Sequence, residues 1–124
     1  MEIVKCEPFH WNDVLEIRNE NHEGFGDTEI ITASVHYLYM TQHSKNYLIC
    51  THLKRAIGFI GHVDNDIRLA TRKEYQRRGV AKLMLEEFQK KFPNCIAKVK
   101  KNNKASLKLF ESCGFIIKYY ILTK

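Results

Sequence analysis

Proline is nearly missing from this sequence, at two residues in 124, and glycine is thin at six. So few breakers, beside seven Phe, six Tyr and one Trp, exclude a disordered or collagen-like chain. No apolar run approaches the ~18 residues of a membrane span, and Met1 to Glu7 does not read as a signal peptide. The expectation is a cytoplasmic protein without a membrane segment, folded as one domain over residues 1–124. The four cysteines, Cys6, Cys50, Cys95 and Cys113, form no C-x-x-C pair, so reduced core thiols are expected rather than disulfides. Six histidines are present, but none stands at zinc-ligand spacing from a Cys, another His or a carboxylate, and no metal is expected.

Acidic residues are in deficit overall, 14 against 20 Lys and Arg, for a net charge of +6. The excess is confined to one part of the chain. Met1 to Ile67 carries a net −5, Arg68 to Lys108 a net +10, and Leu109 to Lys124 a net +1. The basic stretch should attract an anion, and the acidic part suits an amino-bearing partner. Nucleic acid is one such anion. The basic residues have no interleaved aromatics and no reader motif, however, so no nucleic-acid partner is expected.

Hydrophobic periodicity places the elements in the order β-α-α-β-β-β-α-β-α-β. Glu2 to Cys6 alternates as a strand. Asn12 is placed to cap a helix reaching Asn19, with Asp13 and Glu16 at its positive end. Glu20 to Glu29 reads as a loop; its Gly24-Phe25-Gly26 lacks the third glycine of a dinucleotide fingerprint. Thr32 caps a second helix. Strands over residues 47–50, 56–60 and 67–71 form an antiparallel meander, with turns over 51–55 and 64–66. A long helix runs from about Arg78 to Phe92 and stops at Pro93. A strand over 95–99, a helix capped by Asn103 and ended by Gly114, and a strand over 115–122 complete an α/β (α+β) domain. Its sheet is mixed and mostly antiparallel, with helices on both faces.

The segment between the third meander strand and the long helix carries the chemistry. It reads Tyr75-Gln76-Arg77-Arg78-Gly79-Val80-Ala81. The first turn of a helix has unpaired N–H groups and a positive dipole end, and Gly79 and Ala81 let a phosphate approach the backbone. The segment is no P-loop, because G-x-x-x-x-G-K-[ST] is absent.

Gln76 to Ala81 resembles the Q/R-x-x-G-x-G/A acetyl-CoA motif of the GNAT superfamily of N-acetyltransferases. Asn103-Lys104-Ala105-Ser106, followed by Leu109-Phe110-Glu111-Ser112-Cys113-Gly114-Phe115, resembles that family's second signature, and Ile57-Gly58 its "IG" strand. The resemblance implies acetyl-CoA as cosubstrate. It places the pyrophosphate at the amides of Arg77, Arg78, Gly79, Val80, Ala81 and Lys82, beside Gln76. It places pantetheine along Leu69, Ala70 and Thr71, with further contacts from Asn103 and Ser106 and the 3′-phosphate near Lys100, Lys101 or Lys104. A backbone N–H near Leu69 to Thr71 is the implied oxyanion donor.

The sequence departs from the family at the proton-transfer positions. The usual acid tyrosine aligns with Phe110, and the usual base positions align with Asn65 and Ile67, while Asp64 and Asp66 read as turn residues. Tyr119, Tyr120 or water is the substitute acid, and His36, His62 and Glu29 are the candidate bases, directly or through water, with His36 first. Arg18-Asn19, Ile31, His36 and Tyr39 resemble the branch that acetylates nucleotide-linked amino sugars. In that arrangement Arg18 pairs with a phosphate, His36 approaches the amine, and Tyr37 or Tyr39 stacks on a base or sugar face. The expected function is N-acetylation of a small-molecule primary amine by direct attack. The alternatives are acetylation of a protein or peptide amine and a non-catalytic acyl-CoA-binding module. A homodimer whose second subunit completes the acceptor pocket is a further expectation.

Overall fold

The structure is a computed structural model that describes residues 1–22 and 30–124. Glu29 and the Gly24-Phe25-Gly26 stretch lie outside the described residues. Strand β1 (Glu2–Lys5) leads through a 3-10 turn at Pro8–His10 into α1 (Trp11–Glu20), and α2 (Ala33–His43) follows. Then come β2 (Tyr47–His52), β3 (Arg55–Val63), β4 (Asp66–Thr71), α3 (Val80–Lys91) and α4 (Lys104–Ser112). The sheet order is β1-β2-β3-β4, with every neighbouring pair antiparallel. Both hairpin loops have two central residues with positive φ, Leu53-Lys54 (51° and 65°) and Asp64-Asn65 (50° and 67°). That geometry matches the right-handed twist of the strands it joins.

Strand alternation sends two sets of side chains to opposite faces. Val14, Ile17 and Met40 of α1 and α2 pack on Tyr47, Ile49, Phe59 and Ala70. Val80, Met84, Leu85, Phe88 and Phe110 of α3 and α4 pack on Leu48, Cys50, Ile57, Ile60 and Ile67. The expected class, an α/β (α+β) sheet with helices on both faces, is the observed one.

Ile57 and Ile60 share a face although three residues separate them. The β2–β3 register explains this: Cys50 faces Gly58 and Thr51 faces Ala56, so Ile57 is the extra residue of a bulge. Two glycines are required by packing. A Cβ on Gly58 would lie 3.1 Å from the Ala70 carbonyl and from Met84, so its absence lets α3 sit close to the sheet. A Cβ on Gly61 would fall 2.4 Å from the Tyr47 ring.

Several elements differ from the sequence reading. α1 begins at Trp11 rather than after Asn12, because the Pro8–His10 turn delivers the chain to it and His10 Nδ1 accepts the Glu7 N–H at 3.0 Å. Thr32 occupies the N-cap of α2 without a side-chain capping bond. α3 begins at Val80, since Gly79 is left-handed (φ 79°) and cannot continue a helix backwards to Arg78. The strand over 95–99 reduces to one parallel bridge between Asp66 and Ile96. The strand over 115–122 is not formed. Without a laddered neighbour at 95–99, alternation and β-propensity supply no hydrogen-bond partner, and Tyr119 and Tyr120 are 86% and 84% exposed.

α4 follows the sequence closely at both ends. Asn103 Oδ1 accepts the Ser106 N–H at 3.1 Å as an N-cap. At the other end, Phe115 N–H bonds the Phe110 carbonyl and Gly114 N–H bonds the Glu111 carbonyl, with Gly114 at φ 90°. This is a Schellman cap, and the Phe110 and Phe115 rings, 5.1 Å apart, make its apolar contact.

Candidate active site

β4 has a paired edge and an open one. Ile67 N–H bonds the Ile96 carbonyl at 2.9 Å, which fixes the side to which alternate residues turn their peptide groups. By the two-residue period, Leu69 and Thr71 turn theirs to that same side. Arg72 N–H turns the opposite way, to the Ile57 carbonyl at 2.8 Å. Among the described residues no bridge follows Asp66–Ile96, so the Leu69 and Thr71 amides face a gap where the next strand has left the sheet. Thr71 Oγ1, buried beside that gap, has no hydrogen-bond partner.

The chain then turns at Lys73–Tyr75 and reaches the start of α3 through two left-handed residues, Arg77 (φ 65°) and Gly79. A left-handed arginine costs about 1 kcal/mol of conformational strain. The first helical bond runs from Leu83 N–H to the Gly79 carbonyl, so the amides of Val80, Ala81 and Lys82 point out of the helix end. No acidic residue lies in that turn. Space at the position of a Gly79 Cβ is open. Arg78 lies over the Tyr75 ring, 5.3 Å from its centroid. The result is an uncapped, positively charged helix end beside the open edge of β4.

Gln76 has a different task from the one its motif suggests. Its Nε2 donates to Asn21 Oδ1 (3.0 Å) and the Thr71 carbonyl (3.4 Å), while Asn21 Nδ2 donates to that carbonyl at 3.1 Å. The motif glutamine therefore folds the loop onto β4 and α1. Asn103 is likewise engaged as the cap of α4, and Ser106 donates its amide to it.

On the α1 and α2 side of the sheet, the residues expected to meet an acceptor converge. Tyr39 and Tyr47 hydroxyls are 2.5 Å apart, and Tyr47 and Ala70 share one apolar cluster. Burial, then the neighbouring Tyr39, pushes the Tyr47 phenol well above its ordinary range, against the opposing pull of Arg18 and Arg68. His36 is 4% exposed and its Nε2–H donates to the Trp11 carbonyl at 2.8 Å. Burial chiefly, together with the Arg18 charge, pulls its pKa down against that bond, so the ring is neutral near pH 7. Asn19 holds the Ile31 backbone at both its N–H (3.0 Å) and its carbonyl (3.2 Å). The Arg-Asn…Ile pattern is in this respect a loop tie.

Other candidates are placed elsewhere. His62 packs its ring against Phe88 and Phe92, and its Nδ1 accepts the Asn65 N–H. Phe110 is buried in the α4 cap, and the exposed Tyr119 and Tyr120 make no part of the site. Burial raises the Cys6 thiol to about 12 and raises Cys50 and Cys95 as well, which disfavours their thiolates.

The family model described as "Acetyltransferase (GNAT) family" matches residues 11–115. The chain belongs to this family. It is accordingly an acetyl-CoA-dependent acyltransferase. The fold of this acetyltransferase is similar to that of ribosomal-protein-alanine N-acetyltransferase from Brucella melitensis, at 13% identity and a TM-score of 0.83 over 92% of this chain and 83% of the other. It is similar to yncA from Salmonella typhimurium, solved with its cofactor acetyl-CoA (13% identity, TM-score 0.76, 95% and 80% covered). It is also similar to the aminoglycoside antibiotic 6′-N-acetyltransferase of Acinetobacter haemolyticus (17% identity, TM-score 0.69, 100% and 97% covered). No curated protein matches the sequence. No helix among the described residues is long and apolar enough to cross a membrane.

Three residues that the fold brings to this region, Tyr47, Arg68 and Arg72, have no motif to announce them. Tyr47 and Arg68 come from two different strands, and the fold brings the Tyr47 hydroxyl to Tyr39 and within electrostatic reach of Arg18 and Arg68, while Arg68 pairs with Asp66 at 3.3 Å. Arg72, 2% exposed, donates Nη2 to Asp13 (3.1 Å), Nη1 to Glu16 and Nε to the Ala56 carbonyl (2.8 Å), with Glu20 at 3.6 Å. Its one sequence signal is the acidic spacing 13, 16, 20 on one face of α1. That pairing corrects the reading of the acidic part of the chain: three of its carboxylates neutralise Arg72 rather than attract an amine.

Proposed function

We propose that the chain acetylates the primary amine of a small, anion-bearing molecule, a nucleotide-linked amino sugar being the best fit. The reading is carried by one juxtaposition, the open β4 amides of Leu69 and Thr71 beside the uncapped α3 end with Arg77, Arg78 and Lys82. Bound acetyl-CoA supplies an activated acyl group. The chain's part is to seat the pyrophosphate on the amides of Gly79 to Lys82 and to align the pantetheine with Leu69, Ala70 and Thr71. The Leu69 and Thr71 N–H groups then take charge developing on the acyl oxygen. Asn103 and Ser106 border the cofactor from α4.

The acceptor enters on the opposite, α1 and α2 side. Arg18 and Arg68 favour a phosphate or carboxylate, and Tyr39 and Tyr47 offer ring faces. Neutral His36 is the proposed base: with Nε2–H given to Trp11, Nδ1 is the proton-accepting atom. The departing thiolate leaves without an acid from Phe110. Raised cysteine pKa values support direct attack over an acyl-cysteine route.

The experiment is calorimetry with acetyl-CoA, followed by titration of released thiol with a panel of amino sugars, nucleotide-linked amino sugars, amino acids and peptides. Turnover highest on the nucleotide-linked amines supports the reading. Turnover only on peptides moves the acceptor to a protein N-terminus, the substrate class named for the Brucella neighbour. Binding without turnover on any amine leaves an acyl-CoA-binding module. A homodimer is part of the proposal, supported by the exposed apolar stretch at Ile116, Ile117 and Tyr119 to Leu122; a monomeric mass by light scattering overturns it.

A further inference from the structure

The backbone and all three guanidinium nitrogens of Arg72 have partners. Its backbone N–H meets the Ile57 carbonyl, its carbonyl accepts Tyr75 N–H at 2.8 Å, and its guanidinium spans Ala56 and the carboxylates of α1. Ala56 and Ile57 are the bulge of β3, so the bulge turns two consecutive carbonyls toward one arginine. Charge buried this deeply is costly unless fully paired, and surface loops do not require it. The adjoining residues repeat the theme. Glu20 accepts Lys73 N–H at 2.9 Å, and Asn21 and Gln76 close on the Thr71 carbonyl. The C-terminal end of α1 thus grips residues 71–76, the chain between the open β4 amides and the left-handed turn into α3.

We infer that Arg72, with Glu20, is a positioning residue for acetyl-CoA: it fixes the distance and angle between the β4 amides and the α3 amides, the two halves of the site. The inference rests on the assignment of those halves under Proposed function. A cofactor bound at two ends gains affinity only if both are held in register, so a loosened loop raises the dissociation constant for acetyl-CoA and leaves amine recognition alone. Arginine is required, because its planar fork reaches three partners at once, whereas lysine supplies a single charged point.

The test compares the wild type with Glu20→Ala, Arg72→Lys and Arg72→Met, and with Lys90→Ala as a surface control. Glu20 is partly exposed, so its variant retains the core and keeps the test informative if both Arg72 variants unfold. Glu20→Ala is expected to raise the acetyl-CoA dissociation constant and KM about fivefold, the loss of one modest hydrogen bond. The KM for the amine should stay within twofold, and hydrogen exchange at the Lys73 amide should accelerate. Arg72→Lys should raise the acetyl-CoA dissociation constant roughly tenfold or more, with Arg72→Met at least as weak. Two results overturn the inference: variants that bind acetyl-CoA within twofold of wild type, or KM values for both substrates that rise together with loss of thermal stability. A wild-type chain that binds no acetyl-CoA removes the site assignment, and the inference with it, before any variant is compared.

Discussion

Gly79 and Gly114 form a matched pair on which the cofactor reading can be decided. Both are left-handed, at φ 79° and 90°, and at both a Cβ would enter open space. Alanine at either position therefore carries the same local cost, about 1 kcal/mol for a left-handed non-glycine residue, with no clash added. For a domain of this size that lowers Tm by about 4 °C. The two positions differ in what surrounds them. At Gly79 the new methyl stands before the unpaired amides of Val80 to Lys82, where a phosphate must come to hydrogen-bond distance. Loss of one charge-assisted hydrogen bond costs about 1.5–3 kcal/mol, or about 10- to 150-fold in affinity. At Gly114 the methyl meets only solvent at the end of α4. Calorimetry with acetyl-CoA and a thermal melt of each variant give the comparison. Equal Tm losses, with weakened binding in Gly79→Ala alone, are expected. Binding within twofold of wild type in Gly79→Ala refutes the placement of the pyrophosphate at this helix end.

Gly61→Ala should destabilise by about 1–3 kcal/mol, read as a lower urea midpoint, because its Cβ meets the Tyr47 ring and the Tyr39 hydroxyl bond holds that ring in place. Stability should fall as pH drops from about 7 toward 5. Burial lowers the pKa of His10, His36 and His62, so the unfolded chain takes up protons below about 6.5 that the folded chain refuses; a melt series flat across that range would contradict it. His36→Gln should lower kcat by about 100-fold or more with KM for acetyl-CoA unchanged, whereas kcat within threefold of wild type assigns proton removal to water. Asn103→Ala should cost about 1 kcal/mol of stability through loss of the α4 cap, measured by urea denaturation.

The local features of this acetyltransferase were legible because local forces set them. Short apolar runs at 47–50, 56–60 and 67–71 between turn-rich segments give the meander, the spacing of Met84, Leu85 and Phe88 gives the buried face of α3, and Asn103 and Gly114 mark the two ends of α4. The Gln76 to Ala81 motif marks the helix end because unpaired amides and a left-handed glycine are properties of a few consecutive residues. Where a strand needs a partner, the same reasoning overreached, as it did over 95–99 and 115–122: a period of two states which face is apolar and says nothing about what lies alongside. Phe110 is a similar case. Its place in the signature is kept by the Schellman contact with Phe115, a packing role that does not need a hydroxyl.

By itself, then, the sequence determined the fold class, the family and the left-handed turn into the uncapped α3. Only the tertiary structure decided which amides of β4 are left open, that Tyr47 meets Tyr39, and that Arg72 rather than an incoming amine neutralises the carboxylates of α1. The first and last of these depend on contacts far apart in the chain, up to 59 positions for Arg72 and Asp13, and the second on a pair 8 positions apart whose meeting the fold sets. Charge and hydrogen bonding act over a few ångströms in space, and no spacing along the chain encodes that distance.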